Sequence, residues 1–391
     1  MIIKILLKKW VYILLPVSLI LTFFLTTCGL VGVDLTVVWT KHTVDTNFNE
    51  AFWVFAEDLD GDGNKDIIAT SYSPGSVAWW KNLDGDGTFG SRQDVATSYG
   101  GALVVYAANL DGDTDIDVIS ASSSSNMISW WENNGSGTSW NQTNIITNLE
   151  YAYGVYAADL DGDTDLDVLG TAGNTGVNGN RIVWAKNDPV GTLTAQPDID
   201  SSIYKPISVF SADFDGDLDL DVLGAAYNDD ISWWKNENGD GTSWTKKQID
   251  TSLSTINCVH AADLNGDGDI DVLATAMGNK LIAWWENLGA GSSWTKHIIE
   301  DNFEGARCVY SADVDEDGDL DVLGTARDID IVCWFENEDG EGTFGARQII
   351  DSNCDGANGM YATDIDGDRD VDVIAAGRYG NTICWWEKNL E

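Results

Sequence analysis

Aspartates at alternate positions recur along this chain in a nine-residue pattern, as in "DLDGDTDLD". Its odd positions in the first copy are Asp58, Asp60, Asp62, Asn64 and Asp66. The second copy has Asn109, Asp111, Asp113, Asp115 and Asp117, and the third Asp159, Asp161, Asp163, Asp165 and Asp167. The fourth has Asp213, Asp215, Asp217, Asp219 and Asp221; the fifth has Asp263, Asn265, Asp267, Asp269 and Asp271. The sixth has Asp313, Asp315, Asp317, Asp319 and Asp321; the seventh has Asp364, Asp366, Asp368, Asp370 and Asp372. Carboxylates this close repel one another unless a cation joins them. Short loops offering oxygens at alternate positions suit Ca²⁺, a hard cation that takes six to eight oxygen ligands. The loops hold no His or Cys, which removes zinc and copper, and Mg²⁺ would want stricter octahedral geometry. The substitutions are all Asn, which still offers an oxygen. Up to seven structural Ca²⁺ ions are expected.

The copies begin between 50 and 54 residues apart, so they report a repeat that fills almost everything after the N-terminus. Each repeat opens with an apolar run such as "AYGVYAAD", then the acidic loop, then a β-rich run such as "DVLGTA". A polar loop, a segment such as "ISWWEN", a Gly-rich turn and a last run such as "WTKHII" complete it. Short β-branched and aromatic runs between Gly, Asn and Asp turns are strands, and no helical periodicity competes. Four strands per copy, seven times, predict an all-β seven-bladed β-propeller with four-stranded blades. The last copy lacks its fourth strand, while "VVWTKHTVD" before the first copy matches "SWTKHIIED" in the fifth. The N-terminal strand is therefore expected to close the last blade and remove two exposed edges. A closed ring of this kind is expected to be a monomer.

"DLDGDGNKD" and "DLNGDGDID" resemble the calcium loops of FG-GAP/VCBS repeats, shared with the integrin α-subunit propeller, and "NNGSGTSW" resembles their glycine turn. The resemblance covers all seven copies. It implies side-chain ligands at positions one, three, five and nine and a carbonyl ligand at seven, with metal-stapled loops on a binding or adhesion module. Position six is usually Gly in that family. Gly63, Gly268 and Gly318 keep it, whereas Thr114, Thr164, Leu218 and Arg369 depart from it. A left-handed backbone would cost those four about 1 kcal/mol each.

Composition narrows the function. The formal net charge is -43, with 64 acidic residues against 21 Lys and Arg, which opposes nucleic acid and anionic membrane surfaces. With 43% hydrophobic residues and 18 Trp the chain has enough apolar surface for a large core. Residues 1–28 read as an export signal: Lys4, Lys8 and Lys9 precede an apolar run that ends in "LTTC" at Cys28. Lipidation at Cys28, an uncleaved membrane anchor, and simple cleavage stay open, and all three place residues 29–391 outside the cytoplasm, in the cell envelope or the extracellular space. Cys258, Cys308, Cys333, Cys354 and Cys384 match no metal spacing and read as buried small hydrophobes.

No nucleophile elbow, HExxH or phosphate loop is present, so no enzyme is expected. Tryptophan pairs such as Trp79/Trp80 and Trp130/Trp131 point to opposite faces of a strand and are expected to pack between blades. His260 takes a slot filled elsewhere by Phe55, Tyr106, Tyr156, Phe210, Tyr310 and Tyr361, which makes it a core residue. Ligands of propellers generally use the face opposite such loops, where Arg307, Arg327, Arg378 and Tyr379 fall, with Trp53 nearby. These cations could receive an anionic group such as a uronic or sulfated sugar. Pairing with Asp301, Glu304, Asp328 or Asp330 is the plainer alternative. The sequence thus leads to a protein- or glycan-binding module. A lectin-like carbohydrate binder and a polysaccharide lyase-type enzyme are the other readings.

Overall fold

The computed structural model describes residues 37–390, apart from 174–178 and 228–229. The segment 1–28, with Cys28, lies outside the described residues. Among those described, no helix is long and apolar enough to cross a membrane. The chain forms seven four-stranded antiparallel sheets. Blade one consists of Ala51–Glu57, Asp66–Ser71, Ser76–Trp80 and Gln93–Ala96, in that order from axis to rim. The innermost strands of successive blades pack side by side, and that of blade seven, Ala357–Thr363, returns to blade one.

Burial explains the residue types of each strand. The second strand of every blade, such as "DVLGTA" in blade three, is buried throughout, because neighbouring blades cover both of its faces. Outer strands face solvent on one side; in the N-terminal strand Val37–Asp45 half-buried and exposed residues largely alternate. This strand pairs antiparallel with Thr382–Leu390, setting Trp39 opposite Lys388 and His42 opposite Trp385. The N-terminal strand therefore supplies the fourth strand of blade seven and closes the ring.

Each tryptophan pair serves two interfaces. Trp79 packs with Leu59, Tyr99 and Trp131 towards blade two, while Trp80 packs with Phe48, Ile365 and Trp385 towards blade seven. An indole buried in this way removes roughly 200 Å² from water, on the order of 5 kcal/mol as an upper bound. The Gly137 turn of blade two lies so close over Trp79 that a Cβ there would fall 2.4 Å from the ring. Glycine is required at that turn by contact as well as by its φ of +65°.

The axis is crossed by seven side chains. Phe55, Tyr106, Tyr156, Phe210, His260, Tyr310 and Tyr361 form a closed cycle with centroid separations from 4.4 to 5.3 Å. His260 is a core member of this cycle, and its Nε2 lies 3.1 Å from Ser311 Oγ. Burial lowers its pKa to about 4, so it is neutral. All five cysteines from Cys258 onward are buried free thiols.

Candidate functional site

Each acidic loop links the first strand of a blade to the second, and hydrogen bonds assign a task to each odd position. Position nine starts the second strand. Asp66 Oδ2 accepts the Leu59 N–H at 3.0 Å and Oδ1 accepts the Asn82 N–H at 2.8 Å. The same two bonds recur at Asp117, Asp167, Asp221, Asp271, Asp321 and Asp372. Burial raises these carboxyls to about 6 at Asp117, about 7 at Asp66 and about 8 at Asp372, against the pull of the two N–H donors. Position one folds the loop: Asp58 accepts the N–H groups of Gly61, Asp62 and Gly63.

Position six is left-handed in every copy, including Thr114, Thr164, Leu218 and Arg369, whose φ values run from +76° to +101°. Thr164 N–H donates to Asp159 Oδ2 at 2.9 Å, and Leu218 and Arg369 make the same bond to Asp213 and Asp364. A charge-assisted bond offsets the strain of a side chain there. Copy six carries another exception, at position four, where Glu316 stands with φ +64° in place of Gly.

Three carboxylate oxygens converge within 4.8 Å of one another in five loops: Asp58/Asp60/Asp62, Asp159/Asp161/Asp167, Asp213/Asp215/Asp221, Asp313/Asp315/Asp321 and Asp364/Asp366/Asp372. In copies two and five Asn109 and Asn265 replace one carboxylate, and no such triple forms among the described residues. Asp60 Oδ1, Asp161 Oδ1, Asp215 Oδ1, Asp313 Oδ1 and Asp370 Oδ1 are shielded from solvent and accept no hydrogen bond. Orphaned anionic oxygens turned into a loop fit a hard divalent cation. Five or more of these loops could chelate one.

The residue before the Asn that follows the third-strand aromatic run, or before Lys388 in blade seven, divides the loops into two kinds. It is Lys81, Lys186 and Lys235 in copies one, three and four, and Glu132, Glu286, Glu336 and Glu387 in the others. Lys81 Nζ lies against Asp60 and 2.7 Å from Asp62 Oδ2; Lys235 lies against Asp215 and 2.6 Å from Asp217 Oδ2. Lys186 touches Asp161 and Asp163 in the same way. The ammonium groups hold Asp62 and Asp217 below the ordinary carboxylate range. In the Glu loops, burial raises Asp111, Asp315 and Asp366, and Glu132, Glu336 and Glu387 add to the effect. The alternation of Lys and Glu in "WWKN" and "WWEN" was the sequence signal for this slot, and it went unread.

The following Asn latches each blade to the one before. Asn133 Nδ2 donates to Leu59 O at 2.7 Å, Asn187 to Leu110 O and Asn236 to Leu160 O. In blade seven Lys388 takes this place, fully buried, with Nζ 2.9 Å from both Val314 O and Glu316 Oε1. The exception at position four and the exception in the latch are therefore partners.

At the opposite mouth of the axis, the second residue of each innermost strand lines a cavity of about 430 Å³ or the recess beside it. Around the ring these residues are Phe52, Leu103, Tyr153, Ile207, Asn257, Arg307 and Asn358. Arg307 and Arg378 both line the mouth, together with Tyr72, Tyr151, Lys205 and Tyr227. Trp53 lines the recess beside Arg307. Arg327 and Tyr379 do not line the cavity; Arg327 pairs with Asp328 at 2.8 Å and lies 6.0 Å from the Tyr379 ring. Arg378 pairs with Glu50 at 3.3 Å and lies over Phe52 and Tyr72. Tyr72 and Tyr227 stand where blades six and seven have Arg327 and Arg378, and Tyr151 and Lys205 stand where blades one and seven have Glu50 and Gly356; they were missed because these slots change residue type from blade to blade.

Fold and loops together define a class: a seven-bladed β-propeller whose repeats carry acidic loops able to chelate divalent ions. The model of the FG-GAP-like repeat matches residues 58–120, 109–170, 213–274 and 263–324, more than half of the chain, and the chain belongs to that family. No curated protein matches it. Among solved structures, BBS1N in complex with ARL6DN, soaked with mercury, aligns at TM-score 0.58 and 11% identity, over 90% of this chain and 97% of that one. The same complex soaked with lead aligns at TM-score 0.60 and 12% identity, over 89% and 96%. These likenesses concern the fold.

Proposed function

We propose that this protein is an exported, calcium-stabilised propeller that acts as a non-enzymatic binding or adhesion module. One observation carries the reading. The acidic loops repeat around one face, while the mouth of the opposite face breaks the repeat, passing from apolar residues in blades one to four to Asn257, Arg307 and Asn358. Packing alone would favour equivalent residues in equivalent blades. Recognition of a ligand needs an asymmetric surface.

On this reading Ca²⁺ is held by the side chains at positions one, three and five of each loop, with the spare lone pairs of position nine and the carbonyl of position seven. It ties the first strand of a blade to the second. Residues 1–28 direct export, with attachment to a membrane through a lipid on Cys28 or through the apolar run itself. A lectin-like carbohydrate binder is the second reading, favoured by the tyrosines and cations of the mouth.

The test of calcium is thermal. EDTA should lower the melting temperature by several degrees and excess Ca²⁺ should restore it, as expected of a ligand that binds only the folded state. A melt indifferent to both would defeat the structural role. An enzyme of the lyase type would release unsaturated products from uronic-acid polymers; a flat absorbance trace is expected.

A further inference from the structure

Arg307 has an environment unlike that of the other arginines at the mouth. It extends from Ala306–Ala312, the innermost strand of blade six. Its Nε donates to Asn358 Oδ1 at 2.8 Å and its Nη1 to Asn257 Oδ1 at 3.1 Å. Both amides are fixed in turn: Asn257 Nδ2 donates to Ala306 O and Asn358 Nδ2 to Phe52 O. The two amide oxygens are thereby turned to the guanidinium and hold its plane. They do not neutralise it. Among the described residues no carboxylate lies within ion-pair distance of Arg307, whereas Arg327 and Arg378 each have one. A guanidinium carries five N–H donors, so three remain beyond the two in use. Burial pulls its pKa below the usual arginine value. A desolvated cation without a counter-ion is costly, and the fixed amides keep it there.

The cavity over Arg307 has walls of a second kind. Tyr153 packs edge-on to Phe52 at 5.9 Å and lies 6.2 Å from Tyr151. Arg378 and Lys205 stand against the rings of Tyr72 and Tyr227. A volume of about 430 Å³ lies inside the range of about 300–1,000 Å³ usual for small-molecule sites. An inorganic anion would satisfy the guanidinium and leave these rings idle. Tyrosine faces suit a body with apolar C–H surfaces, and their hydroxyls suit a rim of polar groups.

We propose that this mouth binds an acidic saccharide, placing one carboxylate or sulfate on Arg307 and the faces of its sugar rings on Tyr151 and Tyr153. A planar guanidinium engages either oxyanion through two parallel hydrogen bonds. The charge it reads is single. With a net charge of -43 the protein repels a dense polyanion, while at physiological salt the field fades over about 8 Å and spares an isolated anionic group. The inference rests on the reading of this mouth as the binding face.

The test is calorimetric titration of the calcium-loaded protein with oligosaccharides of one length, ending in a uronic acid, a sulfated sugar or a neutral sugar. At least one acidic ligand should bind, at least tenfold more tightly than the neutral one, and the two acidic arms identify the oxyanion. Arg307→Gln should cost at least tenfold on the acidic ligand alone. Arg327→Gln, whose charge Asp328 already balances, should leave affinity unchanged. If Arg307→Gln fails to fold, Tyr151→Ala should still weaken the acidic ligand severalfold. Equal binding of neutral and acidic sugars, equal binding of an acidic peptide, or no binding would each overturn the assignment. If calcium still raises the melting temperature in that case, the calcium-stabilised propeller stands and only the ligand is wrong.

Discussion

His260 shows how one residue can carry a pH dependence. The cycle that crosses the axis is otherwise made of Phe and Tyr, and the histidine replaces one ring by another of smaller apolar area. Its pKa falls from 6.5 to about 4 because burial penalises the imidazolium. The folded value is below the unfolded one, so the unfolded chain binds the extra proton first. Stability from this group is complete above the unfolded pKa and is lost as pH falls towards the folded one, reaching about 3 kcal/mol below it. His260→Tyr restores the residue of blades two, three, six and seven. The variant should melt close to the wild type at pH 7.5 and well above it at pH 4.5; parallel melting curves would show that His260 titrates freely. Its core role was legible because seven equivalent positions could be compared. Arg307 was legible only as a cation on the correct face, since its partners Asn257 and Asn358 lie 50 and 51 residues away. Contacts across a blade interface leave no local pattern in the chain.

Among elements, the acidic loop is the unit, and its copies are unequal. An alternating row of aspartates was readable because side chains at positions one, three and five share one loop interior. The Lys or Glu that faces this row comes from the end of the third strand, about twenty residues on, and enters only through sheet pairing. In three loops Lys81, Lys186 and Lys235 already bring a positive charge to the carboxylates. In the other four a Glu adds a negative one. At ~6 Å in water a unit charge and a divalent ion interact by about 1.4 kcal/mol, so exchanging Lys for Glu shifts binding by roughly 3 kcal/mol before screening. Calcium titration of the EDTA-stripped protein should therefore show two classes of site, the tighter from the Glu loops. Lys235→Glu should move one site into the tighter class, raising its affinity at least tenfold. A single class, unchanged by the substitution, would mean that the ammonium swings away at no cost when the ion arrives.

For the whole molecule, the decisive contact is the one that joins the first and last strands of the ring. Six blades are built from consecutive strands, and their edges are protected by neighbours made in the same stretch of chain. Blade seven is complete only when Val37–Asp45 pairs with Thr382–Leu390, the first described strand with the last. His42 then stacks on Trp385 at 4.4 Å, its Nε2 lies 2.9 Å from Glu387, and Lys41 pairs with Asp351 of the neighbouring blade at 2.7 Å. These contacts explain why a solvent-facing strand carries "WTKH" rather than plain polar residues. Without the strand, Thr382–Leu390 becomes an open edge with unpaired backbone groups, and the indole of Trp385 loses one cover. A chain beginning after residue 45 should melt at least ten degrees lower than one beginning at residue 37, and should associate with itself at micromolar concentration. The peptide VVWTKHTVD, added in excess, should raise its melting temperature and return it to monomer. A truncated chain as stable as the longer one and no more prone to associate would mean that the ring is held by blade packing alone and that closure by the N-terminal strand is dispensable.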